Sequence, residues 1–309
     1  MTAKEFLGQA YRLDQRINSK LQQIESLRCL TQKVTQAYGG EAVSRTRNVS
    51  SLEDSILRLM EAEEELNRQI DTLVDTKIEI GKLIDRVHNE TYRLILEKRY
   101  LCFMNWDRIA EELHYSRRWV LSRHERALEV ADKLLREILY EFEQDLDEFI
   151  KKNSIKLSDQ EYDALIAFTY NTGSEWMRSS RLATLLINGD YSDNEFASAM
   201  GIWCHVGSSD PQISSALITR RMREVNIFLY GNYGKSGETF CAVYYNTDVG
   251  STDVDIAFYK KGSGFSPFFG ANADDDEFLY WQTEDGDTLE EGDTIDEDMT
   301  VRAVWRYNG

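Results

Sequence analysis

The densest row of side chains able to do chemistry lies in WDRIAEELHYSRRWVLSRHERA, Trp106–Ala127. Ser116 is of the type and place to cap a helix, and on that helix Arg117, Arg118, Ser122, Arg123 and Arg126 fall on outward positions. Val120, Trp119 and Ala127 fall on inward ones, and Trp106, Ile109, Ala110 and Leu113 form the apolar face of a preceding helix. His114-Tyr115 make the turn, with histidine where such turns often place glycine. Guanidinium groups and a helix N-terminus bind phosphates, and arginine can bridge O6 and N7 of guanine in the major groove. The segment therefore reads as a helix-turn-helix whose second helix meets DNA, against the alternative of an ordinary basic helix on a bundle.

Other chemistry is sparser. Cys29, Cys102, Cys204 and Cys241 are far apart and form no C-x-x-C pair, so no metal site, cofactor or disulfide framework is expected, and a reducing compartment fits. The acidic runs Asp274–Glu277 and Glu290–Asp298 lack the D-x-D-x-D-G spacing of a calcium loop and read as solvated turns. Glu137/Glu141 and Glu143/Asp147 are spaced one helical turn apart and read as a solvated face.

The elements that must position these residues are mostly helical. Leu52, Ile56, Leu59, Glu63, Leu66, Ile70, Leu73, Lys77, Ile80, Ile84 and Val87 alternate steps of four and three, a heptad seam with two polar interruptions. Ile17, Leu21 and Ile24 show the same tendency, and Tyr38 through Asn48 reads as a loop between the two. The expected result is an antiparallel hairpin, with Ile70 inside its seam; the stripe either serves the hairpin alone or also joins two copies into a homodimer. Residues 90–135 read as shorter helices, and a further amphipathic helix begins at Arg136 with Ile138, Phe142, Leu146 and Phe149 on one face. After Gly234, FCAVYY, DVDIAFY, EFLYW and TVRAVW are short strand-like runs between Gly/Asp-rich turns.

Charge divides the same way. Residues 1–135 carry 22 basic and 22 acidic side chains, residues 136–234 carry 9 and 15, and residues 235–309 carry 5 and 17, within a net charge of −18. An acidic tail repels nucleic acid, so a DNA contact belongs to the first part. The expected fold is mainly α: a long helical hairpin plus helix-turn-helix over 1–135, an α-helical lobe over 136–234, and a small acidic β domain over 235–309. The start of the sequence has no signal-peptide core, and no apolar run is long enough to span a membrane, so the expected location on synthesis is cytoplasmic.

Three stretches resemble known families. Tyr170-Asn171-Thr172-Gly173, Ser179-Ser180, Asn188-Gly189-Asp190-Tyr191, Trp203, and Arg220-Arg221 followed by Glu224 and Phe228 resemble, in order and spacing, the C-terminal lobe of phage-type lysozymes or endolysins. Those enzymes are peptidoglycan muramidases. The resemblance implies peptidoglycan as partner, with Asn171 and Gly173 lining one wall of a sugar cleft and Arg220 and Arg221 at its rim. Trp176 and Trp203 are either sugar-stacking surfaces or core. In that family the catalytic acid sits on an E-G-x-R stretch in an N-terminal lobe, followed by G-Y-G-H-T. Neither stretch exists in this sequence, and Glu161, Asp163 and Glu175 have no matched partner, so no catalytic residue is assigned.

From Met1 to Leu135, YRLDQRINSK and YRLILEKRYLCF with the helix-turn-helix resemble region 4 of sigma factors and the ArpU-like regulators of phages, which implies DNA and RNA polymerase as partners. Trp281, Asp285-Gly286, Asp298 and TVRAVW resemble a Listeria–Bacteroides repeat, which implies a wall-associated tail. The combined expectation is a phage-derived fusion of a DNA-binding regulator with a lysozyme lobe that lacks its catalytic half. The alternatives are a working endolysin acting at the cell wall once released, and a wall-binding protein acting through its tail.

Overall fold

A computed structural model describes residues 2–37, 45–207, 212–234, 239–248, 251–252, 255–266, 271–272 and 276–307. The described chain is mainly α with a small β region at its C-terminal end, and none of its helices is long and apolar enough to cross a membrane. It divides into two compact units, Met1–Ile138 and Leu139–Gly309.

In the first unit α1 (Ala3–Leu7) leads into α2 (Gln9–Ala37), and α3 (Arg45–Asp85) returns along it. Thr2 and Glu5 form a reciprocal capping box at the start of α1. Ile17 and Ile24 of α2 meet Leu66, Leu59 and Leu73 of α3, and Arg28 pairs with Glu63 at 2.6 Å. Leu66, Ile80, Ile84 and Val87 are buried as the heptad requires, whereas Ile56, Ile70 and Leu21 face solvent. Ile70 is thus not a seam residue: one α-helical partner covers a narrow stripe, and a side chain at the stripe's border stays wet. The expected loop also contracts, because residues 45–48 are helical in α3; its residues 38–44 lie outside the described residues.

α4 (Glu90–Leu96) runs into a π-helical turn, Glu97–Leu101, then α5 (Trp106–Glu112) and α6 (Arg117–Asn153). The separate helix expected to begin at Arg136 does not exist. Residues 117–153 contain no glycine or proline, so nothing interrupts the hydrogen-bond ladder, and the division between the units falls within α6.

The second unit adds α7 (Asp159–Thr172), α8 (Trp176–Ser179), α9 (Arg181–Asn188), α10 (Asp193–Gly201) and α11 (Ser215–Tyr230). Between the last two, β1 (His205–Val206) pairs with β2 (Gln212–Ile213). Ser158, Ser180, Ser192 and Ser214 cap α7, α9, α10 and α11 through their hydroxyls. Strands follow: β3 (Phe240–Asn246), β4 (Ser251–Thr252), β5 (Ile256–Lys260), β6 (Ser263–Gly264), β7 (Ala271–Asn272), β8 (Asp276–Thr283), β9 (Thr288–Leu289), β10 (Thr294–Ile295) and β11 (Met299–Tyr307). Five of them form a sheet in the order β5-β3-β11-β8-β9, with β11 parallel to β3 and the other pairs antiparallel.

The period of two along β3 and β5 explains their apolar runs. Ala242, Ile256 and Phe258 join the helical core with Phe168, Trp176, Phe196 and Met200, while Cys241, Val243, Ala257 and Tyr259 join a second core with Trp281, Val301 and Trp305. Helix α10 closes the free edge of β5: Ser198 Oγ accepts from Phe258 N at 2.9 Å and donates to Phe258 O at 3.1 Å, and Asn194 Oδ1 accepts from Lys260 N at 2.8 Å. Gly201 makes this approach possible, since a Cβ there would lie 2.2 Å from the Phe258 ring.

Candidate functional sites

The helix-turn-helix is built as its residue types require. Asn105 caps α5 by accepting from Arg108 N. At the other end of α5, His114 adopts φ +56°, its N–H bonds Glu111 O at 3.1 Å, and Tyr115 N–H bonds Ala110 O at 3.0 Å. That is a Schellman turn with histidine at the left-handed position, which costs on the order of 1 kcal/mol relative to glycine. Ser116 Oγ then accepts from Trp119 N at 3.2 Å and starts α6. Val120 and Ala127 are fully buried, with Ile95, Ile109 and Ala110 around Val120.

Of the residues expected to meet DNA, Arg118, Ser122 and Arg126 share one exposed face of α6. At about 100° per residue, Arg117 lies on another flank, and its guanidinium sits 3.4 Å from Asp107 of α5. Arg123 is half-buried, its guanidinium 5.2 Å above the Trp119 ring. Ser116 is exposed but engaged as the cap. His124, one position beyond Arg123, was no part of the sequence reading. It is buried, with Nε2 3.0 Å from the Tyr100 hydroxyl and its ring edge-on to Trp106. Burial, with Arg99 and Lys4 nearby, pushes its pKa down from 6.5 to about 4.

In the second unit the residues expected to line a sugar cleft converge on a buried charge. Arg221 is 0% exposed, its Nη2 bonds Asn171 Oδ1 at 2.6 Å, and its Nη1 lies 3.2 Å from Glu224. The guanidinium also sits 4.8 Å over the Phe168 ring. Arg220 approaches the same Glu224 at 3.3 Å and keeps about a third of its side chain exposed. Arg221 is therefore not at a rim: it ties α11 to α7 from inside and positions Asn171. Gly173 ends α7 at φ +81°, a backbone state that favours glycine, and its N–H bonds Thr169 O at 2.8 Å.

Trp176 is core, with its indole N–H on Thr169 Oγ1 at 3.1 Å; Trp203 is half-buried, edge-on to Phe168. The carboxylates weighed for acid chemistry have structural duties. Glu161 bonds the Ser158 backbone in a capping box, Asp163 accepts from the Tyr233 hydroxyl at 2.6 Å, and Glu175 pairs with Arg178 at 3.1 Å. Asp147 accepts from Tyr162, whose hydroxyl is pushed up to about 12 chiefly by burial. The Cys204 thiol is likewise pushed up to about 12 by burial, which makes it a poor nucleophile at neutral pH.

Residues 117–224 match the family described as phage lysozyme, and residues 42–133 match a family described as protein of unknown function (DUF1492). The two matches share the first turns of α6. The chain is 32% identical over 105 residues to the endolysin of Bacillus phage B103, an alignment covering 33% of this chain and 36% of that protein. It thus spans about a third of that relative's length. Among solved structures, the endolysin from Escherichia coli O157:H7 phage FAHEc1 is 28% identical, covering 35% of this chain and 66% of that one with a TM-score of 0.31. The similarity to phage lysozymes is therefore a property of a segment, in which Asn171, Gly173, Arg220 and Arg221 all lie.

Two measurements check this account. Replacing Arg221 by Met removes one of the two countercharges of buried Glu224, together with the bond to Asn171, and should lower the stability of the second unit by about 3–5 kcal/mol in urea denaturation; a loss under about 1 kcal/mol would refute the buried-pair assignment. For His124 the folded pKa lies below the unfolded one, so the folded state binds fewer protons between them. Its stabilising contribution is complete above pH about 6.5 and is lost as pH falls toward about 4. Hydrogen exchange of the α5 and α6 amides should accelerate between pH 7 and pH 5, after correction for intrinsic rates, more in the wild type than in His124→Gln. Equal changes in both would remove His124 as the cause.

Proposed function

We propose that residues 136–234 form a lysozyme-like lobe directed at peptidoglycan, which recognises glycan without cleaving it. The observation that carries this is the similarity of residues 117–224 to phage lysozymes, in a segment where Asn171 and Arg220 are organised around the Arg221–Glu224 pair. Amide and guanidinium donors of this kind suit the hydroxyl and acetamido oxygens of amino sugars. Hydrolysis needs a proton donor over the glycosidic oxygen and a carboxylate or positioned water on the opposite face. Glu161, Asp163 and Glu175 are each committed to a cap, a tyrosine or an arginine, and the family's acid-bearing stretch is missing from the sequence. Residues 1–135 and 235–309 flank this lobe. The tail, read from sequence as wall-associated, is assigned instead to scaffolding, because β3 and β5 supply part of the lobe's own core.

Full-length protein should sediment weakly with purified sacculi, Arg220→Ala should sediment several-fold less, and neither should release reducing sugar ends above background. General acid catalysis is typically worth about 10²–10⁴-fold, so a missing donor is visible as a missing rate. No sedimentation would refute glycan recognition, and release of reducing ends would establish the working endolysin instead.

A second reading, that residues 1–135 bind duplex DNA as a regulator, is favoured by the turn at His114 and the exposed face of Arg118, Ser122 and Arg126. RNA polymerase, and a second copy of the chain through the hairpin, are the further partners this reading allows. Arg118→Ala and Arg126→Ala should each weaken binding to a selected duplex by about 1–3 kcal/mol. Arg117→Ala should cost less, because its guanidinium lies beside Asp107. Unchanged affinity in the first two variants would end the recognition-helix assignment.

A further inference from the structure

The turn and second helix carry a feature that no basic row requires. Tyr115, Trp119 and Arg123 recur every four residues and form a stack. The two rings lie 3.8 Å apart and 15° from parallel, and the Arg123 guanidinium lies 5.2 Å over the Trp119 ring. Tyr115 is 51% exposed although it is one of the larger side chains of the unit. Its position is not free to vary, because its N–H closes the Schellman turn on Ala110 O and Ser116 caps α6 immediately after it.

We propose that Tyr115, held by Trp119 and Arg123, is a specificity-determining residue that contacts the 5-methyl group of thymine in the major groove of duplex DNA. This rests on the DNA-binding reading and names what that reading would recognise. Three observations point to this occupant. The face that holds Tyr115 also holds Arg118, Ser122 and Arg126, which make its N-terminal end basic and suited to a polyanion; the exposed Glu125 and Glu129 follow on that face further along the helix. The stack leads the N-terminal end of the helix, where a recognition helix presents its base-reading side chains. Among the base edges of the major groove, the thymine methyl is the apolar group available, and an exposed aromatic ring gains by covering it. The stack also lowers the cost of contact, since the Tyr115 ring and the Arg123 guanidinium are ordered before DNA arrives.

The test uses full-length protein at low salt. A preferred duplex is first selected from a random library, and each thymine in it is then replaced by deoxyuridine, which lacks only the methyl group. Wild type should lose affinity about three- to fivefold at one or two thymines near one end of the recognised sequence. Tyr115→Ala should bind the thymine duplex weakly by a similar factor and be indifferent to the replacement, and Tyr115→Phe should behave as wild type. A merely structural role for Tyr115 would lower affinity equally on both duplexes. That result, or an unchanged Tyr115→Ala with the wild-type response to deoxyuridine, overturns the proposal and leaves DNA binding standing. Failure of the wild type to enrich any duplex overturns both together.

Discussion

A guanidinium withdrawn wholly from water must be matched by acceptors and countercharge, and the second unit is organised around meeting that demand at Arg221. Glu224, one turn further along α11, supplies the charge, and Asn171 at the end of α7 supplies an oxygen. Phe168 offers its ring face to the same group. These contacts fix the approach of α7 to α11, and Gly173 then turns the chain toward α8 and the buried Trp176. Such a pair is weak evidence for net stability, since apolar residues of similar volume can do as well. What it confers is geometry, because leaving either partner unmatched is costly. Any glycan-facing role of Asn171 or Arg220 depends on that interior charge being satisfied first.

The same unit shows why its β strands cannot be treated as an appendage. A strand exposed on one face alternates apolar and polar residues, but β3 and β5 are apolar on both faces, because each face belongs to a different core. Edge strand β5 would present unpaired backbone groups to a second chain; Ser198 and Asn194 of α10 occupy them instead. Gly201 allows the helix to come this close. The acidic residues of the tail whose exposure is described therefore face solvent, while inner residues of β3 and β5 complete the helical lobe.

In the first unit, what could be read in advance was local. Ser116 as a cap, Val120 and Ala127 as inward positions, and the turn at His114-Tyr115 all follow from rules that operate within a few residues, and the structure keeps them. Errors arose where a neighbour decides. Ile70 belongs to the heptad by count, yet it faces solvent. Arg117 belongs to the basic row by type, yet Asp107 lies beside it. His124 follows Arg123 directly on a basic helix, and only the approach of Tyr100 and Trp106 makes it an interior imidazole.

Sequence alone determined the mainly helical class, the Ser116 cap, the turn at His114-Tyr115, the strand-like runs and the ordered set of lysozyme-like residues from Tyr170 to Phe228, because each depends on nearest neighbours or on spacing along the chain. Tertiary structure decided which charges are buried and which meet solvent. Arg220 and Arg221 are adjacent in sequence, yet one keeps contact with water and the other is enclosed, because consecutive helical residues differ by about 100° in direction. It decided, too, that β3 and β5 serve two cores. Burial and pairing are set by segments distant in the chain, and no local pattern encodes which segment will arrive.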